Sequence, residues 1–153
     1  MDNLDESLHR RIRETTRNAA RRVVPVAEQV RDGHLTPLID EVTGTDDRQL
    51  AMFVRHIDPG QRTGVHRHTF EALGYVLEGE GWDTHDGERV PWAEGDALHI
   101  PANVWHQHHN ASADRPVRLL LVTNWPQLMQ MGLCTLEPLP DDAEWPEPRG
   151  PEA

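Results

Sequence analysis

The chain has 153 residues, 27% of them charged, and a formal net charge of −11. That length suits one domain with a real core, and the acidity argues against nucleic acid and anionic membrane surfaces as partners. All 15 basic residues are arginine, which excludes lysine Schiff-base chemistry and a lysine-bearing phosphate loop. No apolar run approaches the length that spans a bilayer, and the N-terminus is too polar for a signal peptide. A single cysteine, Cys134, rules out an internal disulfide and fits a cytoplasmic protein.

Taken in order, residues 1–48 form a helical arm and lead-in. Leu4, Leu8, Ile12, Ala19 and Val23 recur at three- and four-residue steps, with arginines between them and Pro25 as a breaker. This locally basic helix suits a solvated face, an acidic partner subunit or a dimerisation arm. A short strand or irregular edge is expected over residues 35–42. Residues 49–124 then carry strands in quick succession, at 49–57, 65–68, 73–77, 82–85, 89–92, 97–100, 104–109 and 117–123. Asp58-Pro59-Gly60, Asp86-Gly87 and Gly95-Asp96 supply turns, with Asp86-Gly87 closing a hairpin. Many short strands with regular turns indicate an all-β barrel or double sheet. Residues 125–153 read as a covering segment, with one helical turn over 128–133, and a proline-rich acidic tail or strap from 137.

Ten histidines is rich for this length, and several fall in the central third. On a strand, positions i and i+2 share a face, so His66 and His68 point the same way. His106, from a different strand, can join them once the sheet closes. Three neutral imidazoles suit a divalent first-row metal. His108 shares the inward face of His106 and could hydrogen-bond a substrate or act as acid or base. His109 has the opposite parity. His56 and His85 have no supporting pattern, and the face of His99 is open.

Two spaced motifs identify a family. Gly60-x5-His66-x-His68 with Gly79, then Gly95-x5-Pro101-x4-His106-x3-Asn110, resemble the two cupin motifs over roughly residues 49–123. The resemblance implies a small antiparallel jelly-roll barrel, usually a homodimer, with a metal in its mouth. Many cupins add a glutamate ligand between the second histidine and the final glycine. Here that position is Ala72, and Glu71, one residue away, needs a bulge to turn inward. With three histidines and no carboxylate, an octahedral ion such as Fe(II) keeps its full charge and three open positions. Zinc, nickel, manganese or copper suit the same ligands.

His66-Arg67-His68-Thr69, Glu78-Gly79-Glu80-Gly81 and Trp105-His106-x-His108-x-Asn110 are also similar to the metal strands of gentisate and salicylate ring-cleaving dioxygenases. That similarity implies an Fe(II) dioxygenase joining O2 to a hydroxylated aromatic acid or a similar anionic, bidentate small molecule. Those enzymes typically carry two cupin domains, and this chain has one. A metal-dependent isomerase or lyase and a non-catalytic small-molecule-binding cupin are the alternatives. Gln61 and Arg62, in the loop before the motif, and Phe70 and Trp105, beside the ligands, are the expected substrate contacts. Arg55, Arg67 and Arg118 also suit a carboxylate, with Arg67 expected to face outward.

Overall fold

A computed structural model describes residues 34–39, 49–140 and 143–145. The expected N-terminal helix and the end of the tail lie outside the described residues. Among the described residues, ten strands form two five-stranded antiparallel sheets. One sheet has the order β1 (Leu35–Ile39), β2 (Ala51–Ile57), β9 (Val117–Thr123), β4 (Ala72–Glu78) and β7 (Ala97–Ile100). The other has the order β10 (Leu136–Pro138), β3 (His66–His68), β8 (His106–Asn110), β5 (Glu80–His85) and β6 (Glu88–Ala93). The expected all-β jelly roll is therefore observed.

Period-two patterning sets which side faces the core. Along β9, Val117, Leu119, Leu121 and Thr123 are buried and alternate with half-buried residues. Along β4, Ala72, Gly74 and Val76 point in, while Leu73, Tyr75 and Leu77 are exposed. Ile57, Trp92 and Ile100 complete a core against which Phe53 and Leu98 pack. The β5–β6 hairpin turns at Asp86-Gly87, both at positive φ (45° and 87°), which matches the twist of its strands. Gly81 is the tightest backbone approach: a Cβ there would collide with the His109 carbonyl oxygen and the Trp92 ring.

Two differences from the sequence reading stand out. The helical turn comes earlier than expected, as α1 (Trp125–Gln130), with Pro126 in its first turn where a missing N–H costs nothing. Leu136–Pro138, expected within the covering segment and tail, forms β10 and pairs with β3, His68 opposite Leu136 and His66 opposite Pro138. A three-residue edge strand tolerates a terminal proline, so composition alone hides it. Arg67, on the outer face of β3, locks this edge through Glu137 at 2.7 Å.

Candidate metal centre

The site is built on β8, a strand whose sequence HQHHN looks hydrophilic yet is almost wholly buried. Buried polar groups need partners, and these have them. Asn110 donates from Nδ2 to the carbonyls of Ile57, Asp58 and Arg115, and accepts from the Ser112 N–H, tying the end of β2 to the loop between β8 and β9. Gln107 Nε2 donates to the Thr63 carbonyl. His106 and His108 have the opposite parity to Gln107 and point into the barrel.

Register then gathers the histidines. His66 on β3 stands opposite His106 on β8. His68 follows two residues along the same face. One ring nitrogen from each of His66, His68 and His106 lies within 4.8 Å of the others. Each ring is oriented by its Nδ1–H, which donates to a backbone carbonyl: His66 to Gly64 at 2.9 Å, His68 to Phe70 at 2.6 Å, His106 to Val104 at 3.0 Å. That fixes the tautomer and leaves Nε2 as the free lone pair of each ring. The Phe70 ring stacks on His68 with centroids 3.8 Å apart.

Electrostatics agree with the geometry. Burial lowers the pKa of His106 to about 2 and of His66 to about 4, and lowers that of His68 as well. The neighbouring imidazoles add to this, since no two can be charged together at such distances. Three neutral nitrogen donors, already desolvated and aimed at one point, fit a divalent transition metal.

His108 lies beside the cluster, its ring centroid 5.6 Å from that of His106. Its Nδ1–H donates to Asp83 Oδ1 at 2.7 Å, and both side chains are buried. Trp92 Nε1 donates to the same oxygen at 2.8 Å. Burial opposes the charge on Asp83, but His108, the hydrogen bonds from His108 and Trp92, and His85 Nε2 at 3.4 Å outweigh it and hold the carboxyl below its usual range. Asp83 was not among the residues the sequence singled out. Its role comes from the β5–β8 pairing, which sets Asp83 opposite His108.

A cavity of about 720 Å³ opens over the cluster. All four inward histidines line it, with Phe53, Phe70, Leu121, Trp125 and Arg55 among its walls. Ala72 also lines it, in the place where a fourth ligand would stand. Glu71 turns the other way: it is exposed, and its carboxylate lies 3.9 Å from His99. Residues 69–71 form a bend between β3 and β4, and β4 opens with Ala72 facing the core.

Three expected substrate contacts lie elsewhere. Gln61 and Arg62 are exposed and outside the cavity lining, because their backbone is tied to β8 near Asn110 and His109. Trp105 packs under the Arg67 guanidinium at 4.8 Å, on the outer side of β3. Arg118 lies 3.8 Å from Glu78. Phe70 does line the cavity. His109 stacks on Trp82, and His56 hydrogen-bonds Thr36, so both have structural partners.

A jelly-roll barrel with three converging inward imidazoles from its third and eighth strands defines a cupin with a candidate metal centre. Residues 53–123 match the family described as cupin domain, and the barrel they build has the cupin jelly-roll fold. Its relatives include a 1-hydroxy-2-naphthoate 1,2-dioxygenase from Nocardioides sp., 35% identical over 98 residues, which are 63% of this chain and 25% of that protein. A gentisate 1,2-dioxygenase from Ralstonia sp. is 38% identical over 74 residues, 48% of this chain and 21% of that protein. A variant salicylate 1,2-dioxygenase from Pseudoaminobacter salicylatoxidans, solved in complex with gentisate, superposes with a TM-score of 0.64 at 25% identity. That match covers 94% of this chain and 39% of the other. The chain thus spans a quarter or less of these two curated relatives' lengths.

Proposed function

We propose that this cupin binds a divalent metal, Fe(II) first, on His66, His68 and His106, and joins O2 to a hydroxylated aromatic acid or a similar bidentate anion. One observation carries the reading. Three imidazoles, each pinned through Nδ1–H to a backbone carbonyl, turn their free nitrogens to one point beneath a largely apolar cavity. The similarity to ring-cleaving dioxygenases supports the reaction class. Bound there, the metal would supply a Lewis-acidic, redox-active centre with open positions for oxygen donors.

The chain's own residues supply orientation and dryness. Phe53, Phe70, Leu121 and Trp125 give the cavity apolar walls that exclude water around an aromatic ring. Phe70, stacked on His68, fixes that ligand and also lines the cavity. His108, held by Asp83, keeps its Nε2 facing the cavity, where it can accept a proton from a substrate hydroxyl or return one. The homodimer belongs to the same reading, and the exposed row Leu73, Tyr75 and Leu77 offers an apolar surface for it.

The test is elemental analysis of the purified protein, then O2 uptake by the Fe(II)-loaded protein with gentisate, salicylates, catechols and β-diketones. Uptake with an aromatic acid is expected. No uptake across the panel would overturn the dioxygenase reading. The buried Asp83–His108 pair also favours a second reading, a metal-dependent isomerase or lyase with His108 as its base. Turnover that persists without oxygen would select it.

A further inference from the structure

Arg55 occupies an unusual position. It lies in the middle of β2, paired with Leu119 of β9, on the side of the strand that carries Phe53 and Ile57 into the barrel. Its side chain lines the cavity above the three histidines. Its Nε is buried without a hydrogen-bond partner, and no carboxylate pairs with it among the described residues. Burial lowers its pKa, yet a guanidinium stays protonated at neutral pH. The charge also reaches the metal centre, since it is one of the groups that disfavour a proton on His66.

A buried cation without a counter-ion is costly, so proteins normally set a carboxylate against it. Among the described residues, the cavity lining contains no aspartate or glutamate. By contrast, Arg67, Arg115 and Arg118 lie against carboxylates of their own, Glu137, Glu80 and Glu78. A second polar atom in the same cavity wall, Thr123 Oγ1, is also buried and unpartnered. Two orphaned donors in an otherwise apolar and imidazole-lined cavity describe a place for an anion with hydrogen-bond acceptors.

We propose that Arg55 is the anion anchor of this cavity, its guanidinium pairing with the carboxylate of an aromatic acid that lies between β2 and the three histidines. Thr123 donates its hydroxyl to the same ligand. The proposal rests on the reading that this cavity holds the substrate, and it assigns the discrimination between acids and neutral arenes to one residue. The planar fork suits a carboxylate in a way a point charge does not.

The experiment is a binding titration, by calorimetry and by tryptophan fluorescence, with salicylate and its neutral amide, salicylamide. It is run on the full chain, metal-free and metal-loaded. The wild type is expected to bind salicylate about tenfold to a hundredfold more tightly than salicylamide. Arg55→Gln should abolish that preference while changing salicylamide affinity less than about twofold, and Arg55→Lys should keep part of it. A wild type that does not distinguish the two ligands overturns the proposal, whatever the folding of the variants. So does an Arg55→Gln protein that still prefers the acid. Binding needs no turnover, so acid selectivity through Arg55 without O2 uptake would sink the dioxygenase reading and leave the anchor standing. Uptake without that selectivity would do the reverse.

Discussion

His108 and Asp83 face each other across neighbouring strands, with Nδ1 2.7 Å from Oδ1 and both side chains at most 2% exposed. The carboxylate fixes which imidazole nitrogen carries the proton, and so which one meets the cavity. Asp83→Asn can present its amide to Nδ1 and favour the other tautomer. Activity is expected to fall about tenfold or more with metal content unchanged. Stability should drop by about 1–3 kcal/mol, since Trp92 Nε1 shares the same acceptor. Equal activity in the variant and the wild type would remove His108 from the chemistry.

Metal content separates the three-histidine site from a four-ligand one. His106→Ala removes the ligand at the centre of the cluster, opposite His66, and should leave the purified protein with little bound metal. Glu71→Ala should retain the wild-type amount, because that carboxylate is exposed on the other side of β4. Loss of metal in Glu71→Ala would restore the carboxylate as a ligand.

Acid should destabilise the metal-free protein through its buried imidazoles. In the unfolded chain a histidine takes up a proton near its ordinary value of 6.5, whereas folded His66 resists until about 4 and His106 until about 2. Between those values the unfolded state binds more protons, so stability rises with pH. The contribution is fully present above about 6.5 and is lost as pH falls toward 4, by at most about 1.4 kcal/mol per group per pH unit. Urea unfolding at a series of pH values checks this. His66→Gln should flatten the slope, and an unchanged slope would exclude His66 as a source.

Gly81 tests whether the barrel tolerates any widening beside the site. A Cβ at this position meets backbone on β8 and the rigid Trp92 ring, neither of which can swing away. Gly81→Ala is therefore expected to cost about 3 kcal/mol or more, read as a lowered melting temperature or insoluble protein. Gly87→Ala, at positive φ but in open space, should cost only about 1 kcal/mol.

The strands other than β10, the two turn-rich motifs and the inward parity of His66, His68, His106 and His108 were legible in the sequence. Each depends on local spacing, and a period of two needs no knowledge of partners. The same parity left Ala72 on the inner face and Glu71 dependent on a bulge to reach it. Substrate contacts fared differently. Gln61, Arg62 and Trp105 were chosen for nearness along the chain, and the fold turns all three away from the cavity. Nearness in sequence says little about which wall a loop residue joins.

What the chain order by itself determined is a cupin barrel carrying a cluster of imidazoles. What only the tertiary structure decided is the company those imidazoles keep. Asp83 reaches His108 through the β5–β8 register, β10 closes the edge beside His66, and Arg55 turns inward because β2 pairs with β9 at Leu119. Register between strands distant in sequence is set by how the whole sheet buries its apolar face, and a one-residue slip would turn Arg55 out to solvent. No local pattern around residue 55 carries that information.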